Sequence, residues 1–304
     1  MKPAADITTL SPREVAAEAP SRLADFYELT KPRMNFLVVI TTMVGFYMAS
    51  PGQIDWLRLL HTILGTVMCA ASAAVLNQLI EKDHDAKMPR TKNRPLPTGR
   101  ILPREAAVYG LTFGFFGVVY LALAVNMLTS LLGLATMLIY LLAYTPLKRI
   151  TSLNTIVGAV PGAIPPLMGF TAVNNALSAE AIAVFGILFF WQLPHFLAIA
   201  ILYRRDYEAG GFKMLPCVDH EQRLTNLMIL LYTVALLPVS LLPTMLGMSG
   251  IAYFTAAVLL GLAFFSFGIT CATTRQRVDA RKLFFASIIY LPLLLAAMML
   301  DKIS

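Results

Sequence analysis

Long uninterrupted apolar runs, each close to the length that crosses a bilayer, constrain this chain more than any other feature. The hydrocarbon core is spanned by roughly 20 helical residues. Nine such runs are centred near Val39, Val67, Phe115, Leu134, Gly162, Leu188, Leu236, Leu259 and Leu293. Lipid cannot hydrogen-bond an exposed backbone, and runs of this length satisfy their own N–H and C=O groups as helices. The expected fold class is therefore all-α, a polytopic membrane bundle of nine transmembrane helices. Composition agrees, with 58% hydrophobic and only 13% charged residues among 304, against about 25% charged in soluble domains. A water-soluble surface cannot accommodate that much apolar side chain.

The net charge of +7 does not indicate nucleic acid, because the basic residues lie between the apolar runs and form no stripe. Their placement reads as topology. With the N-terminus in the cytoplasm, all but Arg58 and Lys302 of the 24 Lys and Arg fall on that side. The first thirty residues hold no apolar segment, and Asp6, Glu14, Glu18, Asp25 and Glu28 argue against a mitochondrial presequence. Residues 1–29 are expected to be a flexible cytoplasmic tail and residues 30–304 the transmembrane domain. Cys69, Cys217 and Cys271 show no CxxC or zinc spacing and read as packing or loop residues.

The two long loops on the basic side follow the second and sixth runs, a spacing that suggests two tandem halves with the working site where they meet. The first loop begins NQLIEKDHDAKMPRTKNRPLPTGR at Asn77. Asn77, Glu81 and Asp85 are spaced i, i+4 and i+8, so one helical face carries an amide and two carboxylates. Carboxylates at a helix C-terminus oppose the macrodipole by about 0.3–1 kcal/mol each, so something cationic should offset them. Lys82 and Lys87 could do so as ordinary surface pairs. Alternatively, hard oxygen donors at a membrane surface suit Mg²⁺, which takes one or two carboxylates and leaves its other positions to water and phosphate. Arg90, Lys92, Arg94 and Arg100 follow, of the type that holds a diphosphate.

The second loop is preceded by WQLPHF, Trp191–Phe196, and reads YRRDYEAGGFKMLP, Tyr203–Pro216. Asp206 takes the place here that the acidic face takes in the first half, with Lys213 as a phosphate contact; a plain surface pair with Arg205, worth about 0–1 kcal/mol, is the alternative. His195 lies roughly 16 Å up its helix from Asp206 at about 1.5 Å per residue. An ionisable residue inside a span is a functional candidate, although Pro194 could equally free a carbonyl for it. His61, His84 and His220 are expected to be solvated. YTPLKRITSLN contributes Tyr144, Lys148 and Asn154, and Pro161, Pro165 and Pro166 are expected to break the next helix where it lines a cavity. Gly110, Gly114 and Gly117 read as a helix-packing seam.

Taken together, the Asn-xxx-Glu-xxx-Asp face, YTPLKR, WQLPHF and DYEAGGFKMLP, in that order from Thr30 to the C-terminus, resemble the UbiA-type intramembrane prenyltransferases, and within them the branch that alkylates heme. The resemblance implies transfer of a farnesyl group from farnesyl diphosphate to a vinyl group of heme b, with Mg²⁺ as cofactor. It also implies a multi-pass protein of a bacterial inner membrane, its active site facing the cytoplasm among membrane lipid and heme-handling membrane partners. By the same resemblance, Asn77, Glu81, Asp85 and Asp206 bind Mg²⁺ and diphosphate, and Arg90, Arg94, Tyr144, Lys148 and Lys213 surround the diphosphate. His195 goes to the heme side. The chain departs from the wider family at Gly210, where a second Asp would stand, and from the heme branch at Arg205 and Lys213. Two other readings are a prenyltransferase with a different aromatic acceptor and a polytopic transporter, whose coupling residues should sit near the membrane midplane.

Overall fold

A computed structural model describes residues 21–303. Apart from one isolated bridge between Ser249 and Lys302, their regular structure is helical. Among the described residues, eight stretches are long and apolar enough to cross a membrane. They are α3 (Trp56–Asp85), α4 (Pro103–Ala124), the compound span Met127–Ile150, α7 (Asn154–Asn174), α8 (Ala179–Leu202), α11 (Arg223–Met245), α12 (Ile251–Thr274) and α13 (Arg277–Leu300). The compound span comprises α5 (Met127–Leu138), a π-helical turn over Ile139–Tyr144, and α6 (Thr145–Ile150). The expected first span forms an 18-residue helix, α2 (Pro32–Ala49), which opens on Arg33 and Asn35 and is correspondingly less apolar. Short helices α1 (Arg22–Leu29), α9 (Arg204–Ala209) and α10 (Leu215–Val218) lie outside the spans.

The outer surface is apolar, with Leu111, Phe115, Phe116, Leu262 and Leu293 all exposed, while Thr62, Thr66, Ser72, Asn77 and Gln78 of α3 are buried. That inversion follows from lipid being as apolar as leucine, so that close backbone approach and polar contacts hold the helices together. The α3–α4 seam uses the predicted glycines: a methyl on Gly110 would meet Leu76 at 2.7 Å, on Gly114 Ser72 at 2.7 Å, and on Gly117 Met68 at 2.9 Å. The α2–α7 contact is closer still, a Cβ on Gly45 falling 2.2 Å from the Pro166 carbonyl oxygen and one on Gly169 falling 2.2 Å from that of Thr42.

Two local expectations are corrected. Helix α7 runs unbroken through Pro161, Pro165 and Pro166. It is mostly buried, so its neighbours keep it helical where the prolines remove N–H donors. The irregular segment lies instead in the preceding span. Pro146 has no N–H for the Leu142 carbonyl, and the Thr145 amide reaches back to the Tyr140 carbonyl. The Thr145 hydroxyl donates to the same oxygen at 2.8 Å, closing a π-turn of the kind found at functional sites.

Residues 22–29, grouped by sequence with the flexible tail, form a docked helix. The Ser21 side chain caps α1 by accepting from the Ala24 amide, and Leu29 is fully buried beside Val75, Leu96 and Ile101. Asp25 is 2% exposed and accepts from Arg100 Nε at 2.9 Å. At the opposite end of the chain, Lys302 donates to the Tyr47 and Ser50 carbonyls at 2.7 and 2.6 Å. Asp301 accepts from the Tyr253 amide at 2.7 Å, capping α12. The segment after α13 thus clasps α2 and α12 together.

Gly169→Ala places its methyl against backbone, which has no rotamer to yield, and is expected to destabilise the fold by about 1–3 kcal/mol. Gly186→Ala, whose nearest neighbour is the Val239 side chain at 3.1 Å, should be tolerated. Thermal unfolding of both variants in detergent checks the contrast.

Candidate active site

The face predicted at the end of α3 is present and turned inward. Asn77, Glu81 and Asp85 are 1%, 6% and 1% exposed, and each meets a cation from a different part of the chain. Lys31 Nζ donates to Asn77 Oδ1 at 3.0 Å. Lys148 Nζ donates to Glu81 Oε1 at 2.8 Å, and Arg94 donates to Asp85 Oδ2 at 2.7 Å. These partners are not Lys82 and Lys87, so the solvated surface-turn reading does not hold. A buried carboxylate without a partner costs several kcal/mol, which is why every rung is paired.

The elements that deliver the cations are specialised for it. Lys31 has a left-handed backbone, φ 50°, uncommon for a side chain with a Cβ and a form of strain that collects at functional sites. It is the N-cap residue of α2, immediately before Pro32, and its ammonium reaches Asn77 of α3. The π-turn brings Thr145 to accept from Asn77 Nδ2 at 3.0 Å and sets Lys148 one helical turn beyond Tyr144. The Lys148 ammonium lies 4.5 Å from the Tyr144 ring centre and 5.7 Å from that of Phe212, both cation–π distances. Arg94 belongs to a loop pinned by the Thr91 hydroxyl, which donates to the Asp85 carbonyl at 2.8 Å.

The loop after α8 folds over this face through its backbone. The Lys213 amide donates to the Lys148 carbonyl at 2.6 Å, and the Lys213 carbonyl accepts from buried Asn154 Nδ2 at 3.1 Å; the Lys213 side chain is exposed. His84 was expected to be solvated but instead joins the two loops, donating through Nδ1 to the Gly210 carbonyl at 2.7 Å. Its Nε2 is left to accept from Arg149 at 3.3 Å. Met88 and Phe212 are buried together beneath that contact. Arg90 stands 5.4 Å over the Tyr203 ring at the start of α9. Asp206, half-buried in α9, makes no side-chain hydrogen bond or ion pair with a described residue.

Among the described residues, no three His, Cys, Asp or Glu side chains gather closely enough to hold a metal on their own. The donor set available is Glu81, Asp85 and the Asn77 amide, two carboxylates and a neutral oxygen on one face. That set suits Mg²⁺, which does not require an all-protein cage. The opposing cations suit a polyanion. His195 belongs to a separate cluster, where Nδ1 meets Ser287 Oγ of α13 at 2.7 Å. Two grooves, of 480 and 340 Å³, open beside α4 and between α12 and α13. Neither touches the acidic face, which is marked by its charge pairing.

Lys31, Tyr140, Thr145 and Tyr207 were not anticipated from sequence. Tyr140 OH reaches Asn77 Oδ1 at 3.5 Å. Burial, with neighbouring Tyr144 next, pushes the Tyr207 phenol above its ordinary value. Pro146 inside an apolar run was the available signal for the π-turn, and Lys-Pro at a helix start the signal for Lys31.

Comparison with known sequences settles the family. A sequence model described as the UbiA prenyltransferase family matches residues 38–289. The chain belongs to the UbiA prenyltransferase family. It is 44% identical over 289 residues to a protoheme IX farnesyltransferase of Solibacter usitatus, covering 92% of this chain and 99% of that one. It is 43% identical over 290 residues to a protoheme IX farnesyltransferase of Anaeromyxobacter dehalogenans, covering 94% and 98%. Among solved structures, a digeranylgeranylglyceryl phosphate synthase superposes with a TM-score of 0.75 at 18% identity over 92% of this chain and 98% of that one. A UbiA homologue of Archaeoglobus fulgidus, bound to GPP and Mg²⁺, superposes at 0.60 with 16% identity, covering 90% and 99%. The chain therefore has the UbiA fold.

Two outcomes follow from the pairing. Burial, then the positive charges of Arg94 and Lys148, lowers the Lys31 ammonium to about 7, so at pH 8 it is largely neutral until an anion arrives. Binding inorganic diphosphate with Mg²⁺ at pH 8 should therefore take up more protons in the wild type than in Lys31→Met. Calorimetry in buffers of different ionisation enthalpy reads this difference, and equal uptake would refute the assignment. Separately, Lys148→Ala should cost about 3–5 kcal/mol by stranding Glu81. Glu81→Gln added to it should recover part of that loss in the same unfolding assay.

Proposed function

We propose that this chain transfers a farnesyl group from farnesyl diphosphate to a vinyl group of heme b. The observation that carries the proposal is the inward face of Asn77, Glu81 and Asp85 with its three cations, in a chain about 43% identical along nearly its whole length to relatives named protoheme IX farnesyltransferase. A metal and a diphosphate account for both halves of that face.

Asn77, Glu81 and Asp85 would hold Mg²⁺, with Asp206 assigned to the same site from the facing loop. When bound, the metal supplies Lewis-acid neutralisation of the diphosphate oxygens. Arg90, Arg94, Lys31 and Lys148 are assigned to the diphosphate itself, together with the Tyr144 ring and Lys213. Their donors stabilise the negative charge that grows as the allylic C–O bond breaks. The electron pair leaves with diphosphate. The allylic cation then adds to the terminal vinyl carbon of heme, and the cation left beside the porphyrin is captured by water with loss of a proton, giving a hydroxyethylfarnesyl side chain. Tyr140, Tyr144 and Phe212 line the route next to Lys148, where their faces favour a cation and keep bulk water out.

We further propose nine spans, counting α2, with the N-terminus and this face in the cytoplasm of a bacterial cell with the inner membrane as host. The support is the basic bias of the loops on that side. A transporter would carry its coupling acids near the midplane, whereas Glu81 and Asp85 close the last turns of α3.

Purified protein in detergent with heme b, farnesyl diphosphate and Mg²⁺ should yield a porphyrin heavier by farnesyl plus water, read by mass spectrometry. Asp85→Ala should abolish the product, and Arg94→Ala should lower kcat by about 10²–10³ as one charge-stabilising donor is lost. Transfer to another aromatic acceptor but not to heme would overturn the acceptor and leave the site standing.

A further inference from the structure

The left-handed turn at Lys31 follows two carbonyls that the backbone leaves unpaired. The Thr30 and Lys31 amides close the end of α1 on the Tyr27 and Glu28 carbonyls at 3.1 and 3.0 Å, and the Lys31 carbonyl accepts from the Met34 and Asn35 amides. Pro32 has no N–H to give, and no backbone amide of a described residue donates to the Leu29 or Thr30 carbonyl. Side-chain amides take that place. Gln78 Nε2 of α3 donates to the Leu29 carbonyl at 2.6 Å, and Asn35 Nδ2 of α2 donates to the Thr30 carbonyl at 2.7 Å. Gln78 is 2% exposed and Leu29 is fully buried, so water does not compete for the first of these bonds.

The donors come from the two helices that the turn must bring into register. Gln78 follows Asn77, whose Oδ1 receives the Lys31 ammonium, and Asn35 stands in the first turn of α2. Both carbonyls belong to the residues immediately before Lys31, so the backbone that aims its side chain is held by α3 and α2 at once. Arg100, a diphosphate candidate by sequence, serves the same end. It donates to Asp25 of α1 at 2.9 Å and to the Asn93 carbonyl at 3.1 Å, tying the helix before Lys31 to the loop that carries Arg94. Resting on the reading that a metal-bound diphosphate occupies this face, we infer that Gln78 and Asn35 are positioning residues: their amides hold the Leu29 and Thr30 carbonyls so that the Lys31 ammonium meets the diphosphate. Lys31 touches the anion, and the two amides act only through it. Without them the backbone at Lys31 is free to leave a left-handed form that a residue with a Cβ rarely adopts, and the ammonium leaves Asn77.

The test is a double-mutant cycle on the purified full-length protein in detergent, with binding of inorganic diphosphate in the presence of Mg²⁺ read by calorimetry. Lys31→Met should weaken binding by about 10–100-fold, the loss of one charge-assisted hydrogen bond. Gln78→Ala and Asn35→Ala should each weaken it by about 2–10-fold, and Asn35→Gln, which keeps a donor, should recover most of that loss. In a Lys31→Met background neither alanine should weaken binding further, because no ammonium remains to be placed. Equal losses with and without Lys31 would overturn the inference by showing that the amides serve the fold or Asn77 instead, and so would undiminished binding in Asn35→Ala. The heme farnesylation assay separates the two readings. Product from heme together with additive losses sinks the positioning role and keeps the enzyme; coupled losses with no heme product keep the positioning role and overturn the acceptor. A wild type that binds no diphosphate overturns both.

Discussion

Two carboxylates buried at the end of a long apolar helix are tolerable only if cations come to them. Glu81 and Asp85 cannot reach bulk water, and the C-terminal end of α3 adds its own unfavourable dipole. Their partners come from α6 and from the loop after α3, with Lys31 coming from the start of α2 to the Asn77 amide one turn before Glu81. Correct assembly of three segments, two of them distant in sequence, is therefore a condition for burying this face. The same condition explains the strained backbone at Lys31 and the π-turn before Lys148, since regular geometry would aim both elsewhere.

The second layer is the join between the two loops. His84 on the Gly210 carbonyl, the Lys213 amide on the Lys148 carbonyl, and the apolar contact of Met88 with Phe212 bring the two halves together with few side-chain charges. Gly210 is important in that join: a Cβ there would meet Met88 sulfur at 3.0 Å. An aspartate at that position, as the wider family's motif would have it, would crowd the Met88 contact. The departure from the motif and the packing of the loop are one fact seen from two sides.

Much of this was readable in advance, for identifiable reasons. The spans follow from hydropathy because lipid leaves a backbone almost no alternative to a helix. The acidic face follows from the 3.6-residue period alone. Lys31 reads in the sequence as one more charge on the basic side, because nothing local indicates that it folds back onto a residue 46 positions away. His84 failed similarly: its partner is 126 positions distant. The effect of the α7 prolines depends on what packs around the helix, and the docking of α1 depends on an arginine 75 residues downstream of Asp25. Contacts of long sequence separation are where single-sequence reading loses sight of the chain.

The clasp formed by Lys302 on the carbonyls of Tyr47 and Ser50 joins residues up to 255 positions apart. During synthesis every intervening span must be inserted before that contact exists, so α2 waits through most of translation with its C-terminal carbonyls uncapped by their final partner. That end of the bundle therefore closes last, on the far side of the molecule from its chemistry.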